Sequence, residues 1–426
     1  MSAWRGLYTA VLYLLTPFAL MRLWWRGRKQ PGYRLHIPER FGYYAMPAQQ
    51  PLLWLHTVSV GETLAATPLI DALRIRWPEH RILLTHMTPT GRETGERVFG
   101  DEVLRCYLPY DLPAAVARFL AHFRPSLGVL LETEIWPNLI HACHLQQVPL
   151  YLVNARMSER SARGYRRVRD FAAQTLGELA GIAAQTQADA GRLTALGARG
   201  VQVIGNLKFD RGPSPIDLEL CARFRAALGN RPVFLAASTR EGEEEKVLRA
   251  VELAAHPGLL TVIVPRHPQR FEAVAQLMTA RGIAFQRRSS NAPVAPITQV
   301  WLGDSLGELF AFYAACDVAF VGGSLLPLGG QNLLEPCALG KPVLIGPSSF
   351  NFADATRWAV DGGAALQVRD EVELGRALAE LLDDPPSARR MGEAGLALMR
   401  AHRGAAQRVV ELLEKSLDSV TTQSIG

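Results

Sequence analysis

The 426-residue sequence lacks the usual glycine signatures of nucleotide binding. No G-x-G-x-x-G follows a first apolar run and no G-x-x-x-x-G-K-[ST] occurs. This sets aside the dinucleotide-dependent dehydrogenases and the P-loop nucleotidases, whose turns cradle phosphate on backbone N–H groups. D-x-D is missing as well, so no carboxylate pair stands ready to hold a divalent ion against a donor diphosphate. The five cysteines, Cys106, Cys143, Cys221, Cys316 and Cys337, form no C-x-x-C pair. An odd number scattered in apolar or helical contexts points to reduced, cytosolic thiols. Dense Lys/Arg tracts are absent, and the formal charge of +6 is only mildly basic. That balance suits anionic small molecules or an anionic membrane surface and argues against a nucleic-acid partner. There is no low-complexity tract and no short-period repeat, and a hydrophobic share of 48% argues against disorder over most of the length.

What is present begins with an apolar N-terminus. From Gly6 to Met21 no residue is charged, and Trp24 and Trp25 extend the apolar character. About twenty residues make a comfortable span, so the stretch is of marginal length, and Pro17 interrupts it. No small-residue cleavage site follows, which argues against a removed signal peptide. Arg22, Arg26, Arg28, Lys29 and Arg34 lie downstream against Arg5 alone upstream, so the positive-inside rule places the bulk of the chain in the cytoplasm. Residues 1–30 are therefore expected to form a membrane anchor, either a span or a helix lying in the interface, with Tyr8, Tyr13, Trp24 and Trp25 at the headgroup level. A buried or oligomer-forming helix is the alternative.

Beyond it, short apolar runs such as "PLLWLH", "RILLTHM", "LGVLLE" and "VPLYLVNA" alternate with amphipathic helical stretches. This pattern predicts a parallel sheet covered on both faces. A break rich in Pro, Gly and charge, "DRGPSPID" from Asp210 to Asp217, reads as a linker. The pattern restarts with "PVFLAAST", "LLTVIVPRH", "ITQVWLGD", "DVAFVGG" and "KPVLIGP". The expected fold class is α/β with two doubly wound Rossmann-like lobes, residues 31–210 and 211–426, facing a cleft across their strand ends.

Four loops of the second lobe are unusually polar. In "ASTREGEEE", Ser238 and Thr239 either cap a helix whose free N–H groups receive phosphate, or the stretch is an ordinary acidic first turn. "VPRHPQRF" puts Arg266 just past a strand, as a fork for phosphate or carboxylate or as a solvated loop charge. "GDSLGEL" allows close backbone approach at Gly303 and Gly307, with Glu308 carrying charge into the cleft. "GGQNLLEP" opens a helix with Asn332 to Glu335, where backbone N–H groups suit a phosphate and the carboxylate a ribose hydroxyl. Together these loops fit a nucleotide-sugar donor.

In the first lobe, "SVGE" places Glu62 at the start of a helix, where a nucleotide fold usually keeps room for phosphate. The carboxylate is either a general base, kept ionised by the helix dipole, or a favourable first-turn residue. Glu132 and Glu134 follow a buried strand. "HACH", His141 to His144, puts two imidazoles on adjacent turns, as a ligand pair or, on the simpler reading, a surface face.

The chain resembles the 3-deoxy-D-manno-octulosonic acid (Kdo) transferases along essentially its whole length. The resemblance is carried by the N-terminal apolar stretch, "SVGE", "ETEIWPN", "NARMSERS", "GNLKFD", "PRHPQRF", "GDSLGEL", "GGSLLPLGGQNLLEP" and "GPSSFNF". It implies a membrane-associated GT-B glycosyltransferase that moves Kdo from CMP-Kdo to a lipid A precursor, lipid IVA, at the cytoplasmic face of the inner membrane, with inversion. No metal and no cofactor beyond the donor substrate are implied. The implied base is Glu62, with Glu132 and Lys208 steadying the transition state. The implied CMP contacts are Pro265, Arg266, Gly307, Glu308, Leu309, Asn332, Leu333, Leu334 and Glu335. Arg156, Arg160, Arg163, Arg166, Arg167 and Arg169 either receive the phosphorylated headgroup or form a solvated face. Two rival functions are a GT-B transferase of UDP- or GDP-sugars on another membrane lipid, and a non-catalytic nucleotide or glycan binding module.

Overall fold

The computed structural model describes residues 3–46, 51–213 and 215–423. Met1 and Ser2 of the expected anchor, Ser214 of the expected linker and residues 424–426 lie outside it. The chain divides into two compact units, Met1–Asp210 with Arg403–Gly426, and Arg211–His402.

The first unit is built on seven strands, β1 (Leu52–His56), β2 (Arg81–His86), β3 (Val103–Tyr107), β4 (Leu127–Leu131), β5 (Leu150–Ala155), β6 (Gly181–Ala184) and β7 (Val201–Val203). All pair in parallel, in the order β3-β2-β1-β4-β5-β6-β7. The central strands are buried on both faces, which is why their sequences are continuous apolar runs without alternation. Successive side chains still separate. Leu53 and Leu55 enter one core cluster, while Leu52 and Trp54 join Phe119 and Phe123 in the other. Gly128 on β4 leaves room for Trp54, since a Cβ there would lie 2.6 Å from the indole.

The last helix, Ala405–Gln423, belongs to this first unit, which corrects the expectation that 211–426 forms one domain. Val409, Val410 and Leu413 are buried in the same cluster as Leu53 and Leu69. The Asp210 carboxylate accepts the N–H groups of Gly404 and Ala406, each at 2.6 Å, tying the chain's exit from the unit to its return. Arg76 and Glu414 pair at 2.6 Å along the same helix. An amphipathic pattern states that one face must be covered but not by which sheet.

The second unit has strands β8 (Val233–Thr239), β9 (Leu260–Pro265), β10 (Phe285–Arg287), β11 (Val300–Leu302), β12 (Val318–Val321), β13 (Val343–Ile345) and β14 (Ala365–Gln367). They are again parallel, in the order β10-β11-β9-β8-β12-β13-β14. Strand order therefore reverses between β1 and β4 in the first sheet and between β8 and β12 in the second. Loops leaving the C-terminal ends of those strands diverge to opposite faces and open a crevice, where ligands of such sheets bind.

Leu413→Ala is expected to lower the opening free energy of β1 and β2 amides by about 3 kcal/mol, leaving β8 and β9 unchanged. Amide exchange resolved by segment checks this. Loss of protection confined to β8 and β9 would contradict the assignment of the last helix.

Candidate active site

The first sheet's reversal point gathers three carboxylates and a lysine. After β1 the chain turns through Val58 and Ser59 into a helix, Val60–Arg76, with Glu62 in its first turn. The Glu62 carboxylate accepts the Val58 N–H at 2.8 Å and the Ser59 hydroxyl at 2.9 Å. This reciprocal arrangement satisfies groups at the helix start, as in a capping box. Beneath it Thr57 and Thr63, both fully buried, share a hydroxyl contact at 3.1 Å.

After β4, Glu132 adopts a left-handed conformation (φ 61°). Such a backbone costs a non-glycine residue of order 1 kcal/mol or more and persists where its surroundings hold it. Glu132 Oε1 accepts Lys208 Nζ at 3.0 Å. Lys208 sits in a single turn, Leu207–Phe209, whose first N–H groups are taken by two asparagines. Asn206 Oδ1 accepts Lys208 N at 3.0 Å and Asn154 Oδ1 accepts Leu207 N at 3.1 Å. Asn154 is fully buried at the end of β5 and is itself left-handed (φ 55°), so it fixes the turn that carries Lys208. Glu134 accepts Trp136 Nε1 at 2.7 Å and lies 4.0 Å from His56 Nε2.

Burial lifts the Glu62 carboxyl from its ordinary 4.5 to about 7. The negative charges of Glu132 and Glu134 add to that shift, and the hydrogen bonds from Val58 and Ser59 oppose it. The expected ionising effect of the helix terminus is thus outweighed by desolvation, and the group is poised near neutrality instead of fully charged. Burial also raises Glu134. Burial in the core pushes His56 down to about 3, so it is a neutral ring at pH 7.

The second unit uses its reversal point differently. The helix after β8 begins only at Glu243, behind Gly242, so Ser238 and Thr239 do not cap it. Thr239 instead donates its hydroxyl to Glu244 at 3.1 Å. The fully buried Glu243 carboxylate accepts the N–H groups of Arg240 (2.9 Å), Gly323 (2.5 Å), Ser324 (2.9 Å) and Leu325 (3.0 Å). A nest of backbone N–H groups that attracts an anion is therefore filled by the protein's own carboxylate. The phosphate reading of "ASTREGEEE" is corrected, and the acidic-turn alternative holds. Glycine is required beside it, because a Cβ on Gly322 would stand 2.7 Å from the Ser238 carbonyl oxygen.

The other expected donor contacts fall into two groups joined by one arginine. Pro265 ends β9, and Arg266 donates its N–H to Thr239 O at 3.0 Å and its Nε to Gln331 at 3.2 Å. Gln331 in turn donates its N–H to Gly322 O at 3.1 Å, which brings Arg266 to the loop preceding Asn332. Asn332 Oδ1 accepts Leu334 N at 3.2 Å, so that donor is occupied. Leu333 and Leu334 bury their side chains and present only backbone. Glu335 pairs with Arg211, whose guanidinium lies 4.9 Å over the Phe310 ring. That stacking links the Asn332–Glu335 stretch to Gly307, Glu308 and Leu309, where Gly307 is left-handed (φ 82°). Both oxygens of Glu308 are taken, by Arg288 at 2.9 Å and Ser305 at 2.5 Å, so it braces its loop. Burial, then the charges of Arg266 and Arg240, hold His267 below its ordinary pKa, leaving these two arginines as the local cations.

Sequence reasoning gave no role to Asn154, Gln331, Arg240, Glu243, Arg211 or Arg288. Only Glu243 carried a legible signal, three consecutive acids at a helix start. His141 of the "HACH" stretch meets Glu178 at 3.0 Å, and among the described residues no group of three or more His, Cys, Asp or Glu side chains is disposed to hold a metal.

Two Rossmann-like units, one ending its central strands in carboxylates and the other in a cationic loop cluster, define a chain of the GT-B fold class. The fold agrees with a solved structure, UDP-GlcNAc 2-epimerase from Neisseria meningitidis, which matches with a TM-score of 0.60 at 17% identity over 86% of this chain and 100% of that one. The model of the family 3-deoxy-D-manno-octulosonic-acid transferase matches residues 35–211. The Kdo transferase of Bordetella pertussis is 44% identical over 96% of this chain and 99% of its own length. That of Haemophilus influenzae is 39% identical over 97% and 99%. The chain belongs to the Kdo transferase family.

Because the native Glu62 carboxyl holds a proton between pH 4.5 and about 7 that the unfolded chain has lost, its contribution makes stability fall as pH rises through that window. Glu62→Gln is expected to remove this share, flattening the decline of unfolding free energy in urea titrations across the window. An unchanged slope would contradict the shift.

Proposed function

We propose that the enzyme transfers Kdo from CMP-Kdo to lipid IVA, with inversion, at the cytoplasmic face of the inner membrane during lipopolysaccharide core biosynthesis. The observation that carries the mechanism is a Glu62 carboxyl lifted to about 7 beside the Glu132–Lys208 pair. An acceptor hydroxyl attacks the anomeric carbon of Kdo and passes its proton to the Glu62 carboxylate as the new C–O bond forms. The bond from that carbon to the phosphate oxygen breaks, and CMP departs with the electron pair. A base whose pKa lies near the working pH combines a useful ionised fraction with a strong pull on the proton, worth about 10² to 10⁴ in rate. Val58 N–H and the Ser59 hydroxyl fix the carboxylate while leaving lone pairs for the substrate.

Lys208, held by Glu132, meets negative charge on the departing phosphate or the Kdo carboxylate, and the Glu132 carboxylate offsets positive charge growing at the anomeric carbon. Pro265, Arg266, Gly307 to Leu309 and Asn332 to Glu335 hold the donor, with Arg266 as the phosphate fork. No metal or cofactor takes part in this reading. The acceptor's phosphates fall to the exposed Arg163 and Arg166 on the helix Glu159–Arg166.

In Glu62→Gln, kcat is expected to drop by about 10² to 10⁴ with CMP affinity unchanged; loss of both would make the residue structural. In the native enzyme kcat/KM should rise with pH to a plateau above about 7, and that limb should vanish in the variant. CMP should displace bound donor where UDP and UDP-sugars do not, and the product mass from CMP-Kdo and a tetra-acylated precursor should show added Kdo. Charge reversal at Arg163 and Arg166 should raise the apparent KM for the phosphorylated acceptor, and an unaltered KM would remove them from the site.

A further inference from the structure

The N-terminal helix, Ala3–Lys29, is long and apolar enough to cross a membrane. Its contacts contradict that use. Near its start, Arg5 is 1% exposed and pairs with Glu178 at 2.9 Å, Tyr8 donates to Asp111 at 2.9 Å and Thr9 meets Asn138 at 3.2 Å. Past its end, Tyr33 is buried, a Cβ on Gly32 would lie 2.8 Å from Pro89, and Arg34 reaches back to Trp24 O at 3.0 Å. Both ends are therefore fastened to the same globular unit. A span needs about twenty residues with water at opposite ends, and this helix would have to break the buried Arg5–Glu178 pair to achieve it.

The exposure pattern along the helix agrees. Arg5, Thr9, Leu12, Thr16, Leu23 and Gly27 are the covered or half-covered face, at helical spacing. On the other face Leu7 (56% exposed), Leu14 (73%), Phe18 (64%) and Met21 (60%) form an apolar stripe with Val11, closed by Trp4 at one end and Trp25 at the other. At the Trp25 end Arg28 stacks 4.3 Å over Trp24 and Arg26 lies 4.5 Å over Tyr33. A cavity of about 370 Å³ there is lined by Trp25, Arg26, Arg28, Gln30 and Tyr33.

We propose that this helix lies flat in one membrane leaflet without crossing it, its Trp4-to-Trp25 stripe among the acyl chains and its terminal arginines on anionic lipid phosphates. The cationic flank matches the headgroup boundary of a single leaflet, and an apolar face laid along that boundary sinks about 5–10 Å. The alternating three- and four-residue spacing also fits a coiled-coil seam with a second copy. The arginine cluster favours lipid, because it is attracted by phosphates and repelled by its own equivalent in a parallel pair. The inference deepens the membrane placement proposed above and fails separately from the transfer chemistry.

The test uses the full chain with Cys221→Ser as background, since the other four cysteines are buried, and Ala3→Cys as the probe. In sealed inverted inner-membrane vesicles, a membrane-impermeant maleimide should label position 3 equally before and after detergent. Labelling only after detergent would establish a span and overturn the proposal, while Kdo transfer by the same vesicles would leave the enzymatic reading intact. Absence of the protein from the membrane fraction would overturn the membrane placement itself. In a second arm, Leu14→Glu with Phe18→Glu should reduce flotation on phosphatidylethanolamine–phosphatidylglycerol vesicles at least about tenfold without changing mass by light scattering. Conversion of a dimer to a monomer by the same pair would identify a second copy as the occupant and reject the lipid.

Discussion

Desolvation of one carboxyl group against the field of two others sets the character of this protein. Glu62 is lifted to about 7 because it is half-buried beside Glu132 and Glu134 at the end of β1 and β4. The parallel sheet makes that proximity unavoidable, since the reversal of strand order sends the two loops apart and leaves both strand ends facing the same crevice. Three carboxylates could not remain there uncompensated. Lys208 takes Glu132, while Glu134 and Glu62 meet only neutral donors and are both raised, Glu62 to about 7. Lys208 in turn depends on a strained, buried asparagine that shapes its turn.

The second unit puts a glutamate at the equivalent topological position and uses it to fasten loops. Glu243 is fully buried, yet four backbone N–H groups meet it and the glycine turn after β12 closes over it. A carboxylate so supplied with donors is a fastening, and it removes the most obvious phosphate nest from the fold. The cationic surface that remains is the one made by Arg266 and Arg240 beyond the strand ends. The two units are thus built on one plan, and they differ in the hydrogen bonds given to a single carboxylate, two at Glu62 and four at Glu243.

Much of this was legible in the chain. Unbroken apolar runs such as "LLWLH" and "LGVLL" announce parallel strands, and "SVGE" and "ETE" fall where strand ends must meet. The direction of the Glu62 shift was not legible, because burial is a property of the assembled loop and the helix terminus argues the other way. The phosphate reading at Ser238 and Thr239 failed for a related reason. Nothing local reveals that Glu243 will be met by a loop eighty residues on. The last helix was misassigned because amphipathicity names a face and not its partner. The N-terminal helix shows the same blindness, since its composition satisfies a span while Arg5, unremarkable in sequence, fixes it to Glu178.

The central claim concerns the protonation of one group, and carboxyl-carbon NMR of protein labelled at glutamate, assigned by comparison with Glu62→Gln, measures it directly. The account predicts a Glu62 resonance that titrates with a midpoint near 7. A midpoint at the ordinary glutamate value of about 4.5 would contradict it.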